Sequence, residues 1–322
     1  MSFGKTIALG VWPLSGGFVN HGREMGWGDV SRADAIETVQ YAFEQGIARF
    51  DTADVYGHGR ANRLIGEALS GVKRETYAIA LKVGYCEQYA QRPYSLENLE
   101  RQITRSLDDL CTDYVDEFSF HNLNFGPRNE DLEPALAHLE TLADQGVVRS
   151  LGYRFGHEYT VSPVDTALNE AAVSALATRC DRVHAKLNLL CTDAYVERLR
   201  AVAVGRTVMI NKPMAQGALW TNFERSTADF PMNDHRRYRK SFQPDRLATL
   251  RRRHLDYLKS LELEADDLPA VAIGFLLLQQ ETSQIAFGAK SPSQVRQLLR
   301  TWSRAGELAR RSPDLGRLRP VR

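Results

Sequence analysis

Eight short β-rich runs, mostly about 25–40 residues apart and each followed by a helical pattern, limit most tightly what this 322-residue chain can fold into. The runs are TIALGV (6–11), ARFDTA (48–53), TYAIALKV (76–83), VDEFSFHN (115–122), VRSLGY (148–153), RVHAKLNL (182–189), TVMINKP (207–213) and QIAFGA (284–289). Several are apolar on both faces, as parallel strands covered by helices are. Between them, SRADAIETVQYAFEQG begins on an N-cap Ser31 and stops at Gly46. SLENLERQITRSLDDL begins at Ser95, and EDLEPALAHLETLADQG stops at Gly146. This rhythm predicts an α/β fold of the (β/α)8 TIM-barrel type. The alternative is a doubly wound sheet, but no GxGxxG follows the first strand, which speaks against a dinucleotide fold of that kind.

No Pro/Gly/Ser-rich linker splits the chain, so residues 1–322 read as a single barrel. The one long gap, from about 214 to 283, is expected to hold an extended loop over the barrel mouth at about 214–265. A basic C-terminal tail is expected at about 303–322. With a net charge of +1, no strong pull toward nucleic acid or membrane is expected. The local basic clusters HRRYRK (235–240) and RRRH (251–254) and the tail read as solvated helix faces or a frayed terminus. The four cysteines form no CxxC pair, and the N-terminus has no apolar run long enough for a signal peptide. LPAVAIGFLLLQQ is too short to span a bilayer. Together these features predict a cytoplasmic protein with no nucleic-acid or membrane partner. Oligomeric state is not set.

In such a barrel, function collects where the strands end. The polar residues there are Asp51, Asp54 and Tyr56 after the second run, Lys82 ending the third and His121 ending the fourth. Arg154 follows the fifth, His184 lies in the sixth and Lys212 ends the seventh. Lys82 stands alone in an otherwise apolar strand, and burying an ammonium without a counter-charge costs several kcal/mol. Asp51, on the neighbouring strand, is its natural partner. An adjacent ammonium is expected to lower the pKa of a phenol, and Tyr56 is placed to supply that phenol. His121 could donate to a carbonyl oxygen. The set describes a proton donor aimed at a polarised carbonyl, still lacking a hydride source. Asp54 and His58 read as turn residues.

FDTADVYG…LIGEAL, ALKVG, FHNL, GVVRSLGY, LNLL, KPMAQGAL and GAKSPSQV occur in the order and spacing of the aldo-keto reductase superfamily, which the chain resembles from LGVWPLSGG to about residue 300. The resemblance implies an NADPH/NADP+-dependent carbonyl reductase with a catalytic tetrad of Asp51, Tyr56, Lys82 and His121, Tyr56 being the general acid. It implies no metal. Trp12 would line the substrate pocket beside the cofactor. Lys290, Ser291 and Gln294 would contact the 2′-phosphate. The stretch from Lys212 through Met214 and Gly217 to Leu219 would lie along the pyrophosphate.

The departures from the family pattern concern the cofactor. Arg154-Phe155 stands where Ser-Asn usually holds the nicotinamide carboxamide, and His184 where a Gln does. Lys212 replaces a Ser, and Gln297-Leu298 a Glu-Asn pair that contacts adenine. Either new donors such as Arg154 and His184 hold the nicotinamide, or cofactor binding is weakened. The second possibility keeps open a cofactor-binding barrel that works as a redox sensor or subunit with slow turnover. A metal-dependent isomerase or hydrolase with Asp51 and His121 as ligands is the remaining alternative, disfavoured by two strand-end lysines and few carboxylates.

Overall fold

A computed structural model describes residues 4–156 and 166–317. Eight parallel strands close into a barrel: β1 (Thr6–Gly10), β2 (Arg49–Ala53), β3 (Ala78–Val83), β4 (Glu117–Phe120), β5 (Leu151–Phe155), β6 (Arg182–Lys186), β7 (Thr207–Asn211) and β8 (Gln284–Gly288). Each pairs with its sequence neighbours, and β8 closes onto β1. Helices cover the outside, with α1 (Arg32–Glu44), α2 (Arg60–Ala68), α3 (Leu96–Leu110), α4 (Leu132–Asp144), α5 (Thr166–Arg179) and α6 (Asp193–Ala203) each filling one crossover. The last crossover holds α7 (Pro244–Ser260) and α8 (Leu268–Leu278), and α9 (Pro292–Arg311) follows β8. The expected TIM barrel is the fold.

Local chemistry sets several boundaries where the sequence marks them. Ser31 caps α1 by accepting the Asp34 N–H, and Gly46 and Gly146 leave α1 and α4 at positive φ. The fifth strand starts later than VRSLGY suggests, because Val148 makes only an isolated bridge to Val115. Arg154 therefore belongs to β5 itself. The apolar LPAVAIGFLLLQQ forms α8, which is buried almost all round, as a helix without a polar face must be. Among the described residues, no helix is long and apolar enough to cross a membrane.

The segment after β7 is a run of 3-10 turns between Ala215 and Phe242, followed by α7. Residues 303–311, expected in the basic tail, continue α9, where Ala305, Leu308 and Ala309 are buried. Residues 318–322 lie outside the described residues. The β1–α1 connection meets the β7–β8 segment over the C-terminal strand ends. Trp27 bridges Asp234, and the His235 N–H donates to the Gly26 carbonyl. That contact roofs the cavity in which the candidate residues gather.

Candidate active site

Side chains alternate inward and outward along each strand, so residues two apart share the barrel interior. Lys82 and Asp51 meet there as a buried ion pair, Lys82 Nζ donating to Asp51 Oδ1. Asn211 Nδ2 donates to the other Asp51 oxygen at 3.3 Å. Burial pulls the Lys82 pKa below its ordinary value, and the Asp51 carboxylate works against that.

Tyr56 sits on the turn after β2, which Gly57, His58 and Gly59 carry through three successive positive φ angles. Glycine adopts that conformation without strain. At Gly57 a Cβ would also come within 2.9 Å of the Ser15 carbonyl oxygen. Asp54 tightens the same turn, its carboxylate accepting the Val55 N–H at 2.7 Å and the Gly84 N–H at 3.2 Å. Burial pushes the Asp54 pKa up to about 6. His58 is exposed on the same turn. Both are turn residues, as expected.

The Tyr56 ring stacks on Trp12, with centroids 5.7 Å apart and planes at 10°. His121 meets it edge-on at 6.2 Å and 90°. Lys82 Nζ lies 5.4 Å from its centroid. The expected lowering of the Tyr56 pKa is not what this environment produces. Burial and the Asp51 and Asp54 carboxylates hold the phenol above its ordinary value, and Arg154 only partly opposes them. Lys82 is already neutralised by Asp51, so its ammonium has little charge left to offer. The phenol stays protonated near neutral pH.

Asp51, Tyr56, Lys82 and His121 line one cavity of about 660 Å³. Its wall also includes Trp12, Arg154, Lys212, Met214, Gly217, Lys290, Ser291 and Gln294. Lys212, Ala215 and Gln216 all have positive φ, a strained conformation for residues with a side chain. Asn188 Nδ2 fixes this turn by donating to the Lys212 carbonyl at 2.8 Å. At the far end Ser291 caps α9, accepting the Gln294 N–H, and the Gln294 side chain accepts the Lys290 N–H at 2.7 Å. Lys290 Nζ donates to the Trp27 carbonyl at 2.6 Å, and burial lowers its pKa.

Two expected cofactor contacts are not on this wall. Leu219 is fully buried in the core. His184 is fully buried inside the barrel, its Nε2 bonded to Glu117 Oε1 and its Nδ1 3.6 Å from Asp51 Oδ1. Arg49 approaches the other Glu117 oxygen at 3.7 Å. Burial alone would raise the Glu117 pKa, but the neighbouring His184 and Arg49 outweigh it and hold the group below its ordinary range. Asp51 is thus one link in a polar chain running from Lys82 through Asp51, His184 and Glu117 to Arg49.

The basic cluster at 235–240 also departs from expectation. His235 is buried, with Nδ1 on the Gly26 carbonyl at 2.8 Å and its ring 4.8 Å from Trp12. Burial lowers its pKa to about 4, which keeps the imidazole neutral. Arg236 is held by Asp234 at 2.6 Å beneath Trp27 and Phe230, and both Arg236 and Arg239 line the cavity. Asn62 is fully buried and accepts from Thr52 at 2.7 Å.

The sequence profile described as "Aldo/keto reductase family" matches residues 6–308. L-galactose dehydrogenase from Arabidopsis thaliana is 33% identical over 151 residues, 46% of this chain and 44% of that protein. The match to that relative thus spans less than half of its length. NADH-specific methylglyoxal reductase from Escherichia coli is 24% identical over 90% of this chain and 87% of its own. A solved aldo-keto reductase from Klebsiella pneumoniae in complex with NADPH superposes with a TM-score of 0.60 at 19% identity, covering 98% of this chain and 92% of that one. The profile spans nearly all of a chain whose barrel brings Asp51, Tyr56, Lys82 and His121 to one cavity, and the chain belongs to the aldo/keto reductase family.

Proposed function

We propose that the protein reduces an aldehyde or ketone to the alcohol with NADPH, Tyr56 supplying the proton. One observation carries the reading: a half-buried phenol on the cavity wall, with the Lys82–Asp51 pair behind its ring and His121 at its edge. A carbonyl oxygen between Tyr56 and His121 meets a donor on either side, and negative charge developing on it is stabilised in a site shielded from water. The Lys82–Asp51 pair, with Asn211 donating to the other Asp51 oxygen, is the polar backing of the phenol as it loses its proton.

The residues present suit a phosphorylated dinucleotide. Lys290, Arg225 and Arg236 gather near the N-terminus of the 20-residue α9, where backbone N–H groups and cations favour an anion. Lys290 would hold the 2′-phosphate, with Ser291 and Gln294 exchanging their cap bonds for it, and the Lys212–Gly217 turn would flank the pyrophosphate. When bound, the reduced nicotinamide supplies the hydride. One relative is named as NADH-specific, so the preference for NADPH rests on this chain's own cations. The net charge of +1 gives no general electrostatic pull toward a nucleic-acid partner.

One observation favours the second reading, a cofactor-binding barrel with vestigial turnover. Phe155 is buried against Tyr195 and His184 is bonded inside the barrel, so neither repeats the family's carboxamide holders. Stopped-flow mixing of the NADPH complex with a panel of aldehydes and ketones separates the two. Rapid loss of nicotinamide absorbance with stoichiometric alcohol is expected, and no hydride transfer to any carbonyl would overturn the first reading.

A further inference from the structure

Arg154 is the penultimate residue of β5 and lines the cavity beside Tyr56, Tyr85 and His121. Two other inward cations have carboxylates: Lys82 has Asp51 and Arg49 has Glu117. Arg236 in the roof has Asp234. The Arg154 guanidinium makes no hydrogen bond or ion pair with any described residue. Asp51 lies within electrostatic reach of it but is already bonded to Lys82 and Asn211. The other groups felt by Arg154 are the phenols of Tyr56, Tyr85 and Tyr195. Arg154 is half-buried on the cavity wall, and a guanidinium drawn partly out of water with no counter-ion among the described residues favours a ligand that brings negative charge.

The charge of the whole cavity points the same way. Seven cationic side chains line it against three carboxylates. Lys290, Arg225 and Arg236 lie toward α9, where the proposed dinucleotide phosphates would use them. Arg154 stands instead next to the phenol, and Arg239, half-buried in the roof, also lies within electrostatic reach of Tyr85. A surplus of positive charge at the reacting end is not needed to bind a neutral aldehyde.

We infer that Arg154 binds a carboxylate on the substrate, so that the compound reduced is an oxo acid, an aldehyde or ketone that also carries a carboxylate group. The inference rests on the carbonyl-reductase reading above. The carboxylate is a spectator: hydride adds to the carbonyl carbon, the Tyr56 proton goes to its oxygen, and NADPH becomes NADP+. A guanidinium receives a carboxylate through two parallel N–H donors, a geometry that an ester or amide cannot match in charge. The other oxygen that Arg154 could meet is the nicotinamide carboxamide, since it stands where the family pattern has Ser-Asn. The test must therefore separate these two sources.

Acid and ester pairs of one skeleton do so: 4-carboxybenzaldehyde against methyl 4-formylbenzoate, and pyruvate against methyl pyruvate. The wild type is expected to prefer the acid of each pair at least about tenfold in kcat/KM. Arg154→Met should cut that preference by about 10- to 100-fold, the range for losing a hydrogen bond to a charged group. Arg154→Lys, which keeps the charge, should retain part of it, and NADPH affinity should move less than about threefold in both variants. No acid preference in the wild type would overturn the inference, as would an Arg154→Met protein that loses NADPH as strongly as the acid. A binding arm needs no turnover: tryptophan fluorescence of the NADP+-saturated protein, titrated with the same acid and ester, reads Trp12, Trp27 and Trp220 in the cavity wall. Acid-selective binding that depends on Arg154, without reduction of either compound, would sink the reductase reading and keep the anion site. Reduction of the ester as efficiently as the acid would sink the anion site and keep the reductase.

Discussion

Inside the barrel the imidazole of His184 is hydrogen-bonded through Nε2 to the carboxylate of Glu117, both side chains being fully enclosed. TIM-barrel interiors are usually filled by layers of branched apolar residues. Here a chain of polar side chains occupies the centre, ending at the Lys82–Asp51 pair behind Tyr56. The surroundings of Asp51 therefore include His184 and Glu117, which are not on the cavity wall.

Removing one partner of such a buried pair leaves the other without compensation. Glu117→Ala and His184→Ala should each lower the unfolding free energy by about 3–5 kcal/mol. The double variant should lose less than the sum, with a coupling energy of about 1–3 kcal/mol in a double-mutant cycle measured by denaturant unfolding. Strictly additive losses would mean that the two side chains contribute independently.

Asp54 gives a pH dependence with a definite sign. Its folded pKa, about 6, lies above the ordinary 3.8, so the folded state holds this proton more tightly than the unfolded state. The stabilisation is fully present below pH ~4 and is lost as pH rises through ~6. A shift of about two units corresponds to about 3 kcal/mol. Between pH 4 and 6 the wild type should lose about that much stability relative to Asp54→Asn, whose side chain does not titrate. Parallel pH–stability curves for the two proteins would contradict the assignment.

Lys290→Ala should weaken NADPH by about 10- to 100-fold, since the ammonium would pair with a phosphate that NADH lacks. NADH affinity should change less than about threefold by fluorescence titration. Equal loss for both cofactors would remove Lys290 from the 2′-phosphate.

Much of the site was legible because burial makes isolated charges conspicuous. Lys82 in AIALKV demands a partner, and Asp51 on the next strand supplies it. Glu117 was harder to find, although the signal was present: Glu117, Ser119 and His121 alternate along EFSFH and so share one strand face. Only the assumption of an apolar interior hid it. Arg236 and His235 looked like solvated surface because their burial depends on a contact with residues 26–27, more than 200 positions away. Leu219 and His184 were placed by analogy with the family. The chain buries the first and gives the second to Glu117, relations that no local spacing encodes.

Single-turnover mixing of the NADPH complex with a reactive aldehyde, for the wild type and Tyr56→Phe, tests the central claim most directly. Loss of the proton donor should slow hydride transfer by about 10²–10⁴-fold, while NADPH affinity stays within about threefold. A Tyr56→Phe protein that oxidises NADPH at the wild-type rate would show that the proton comes from another group.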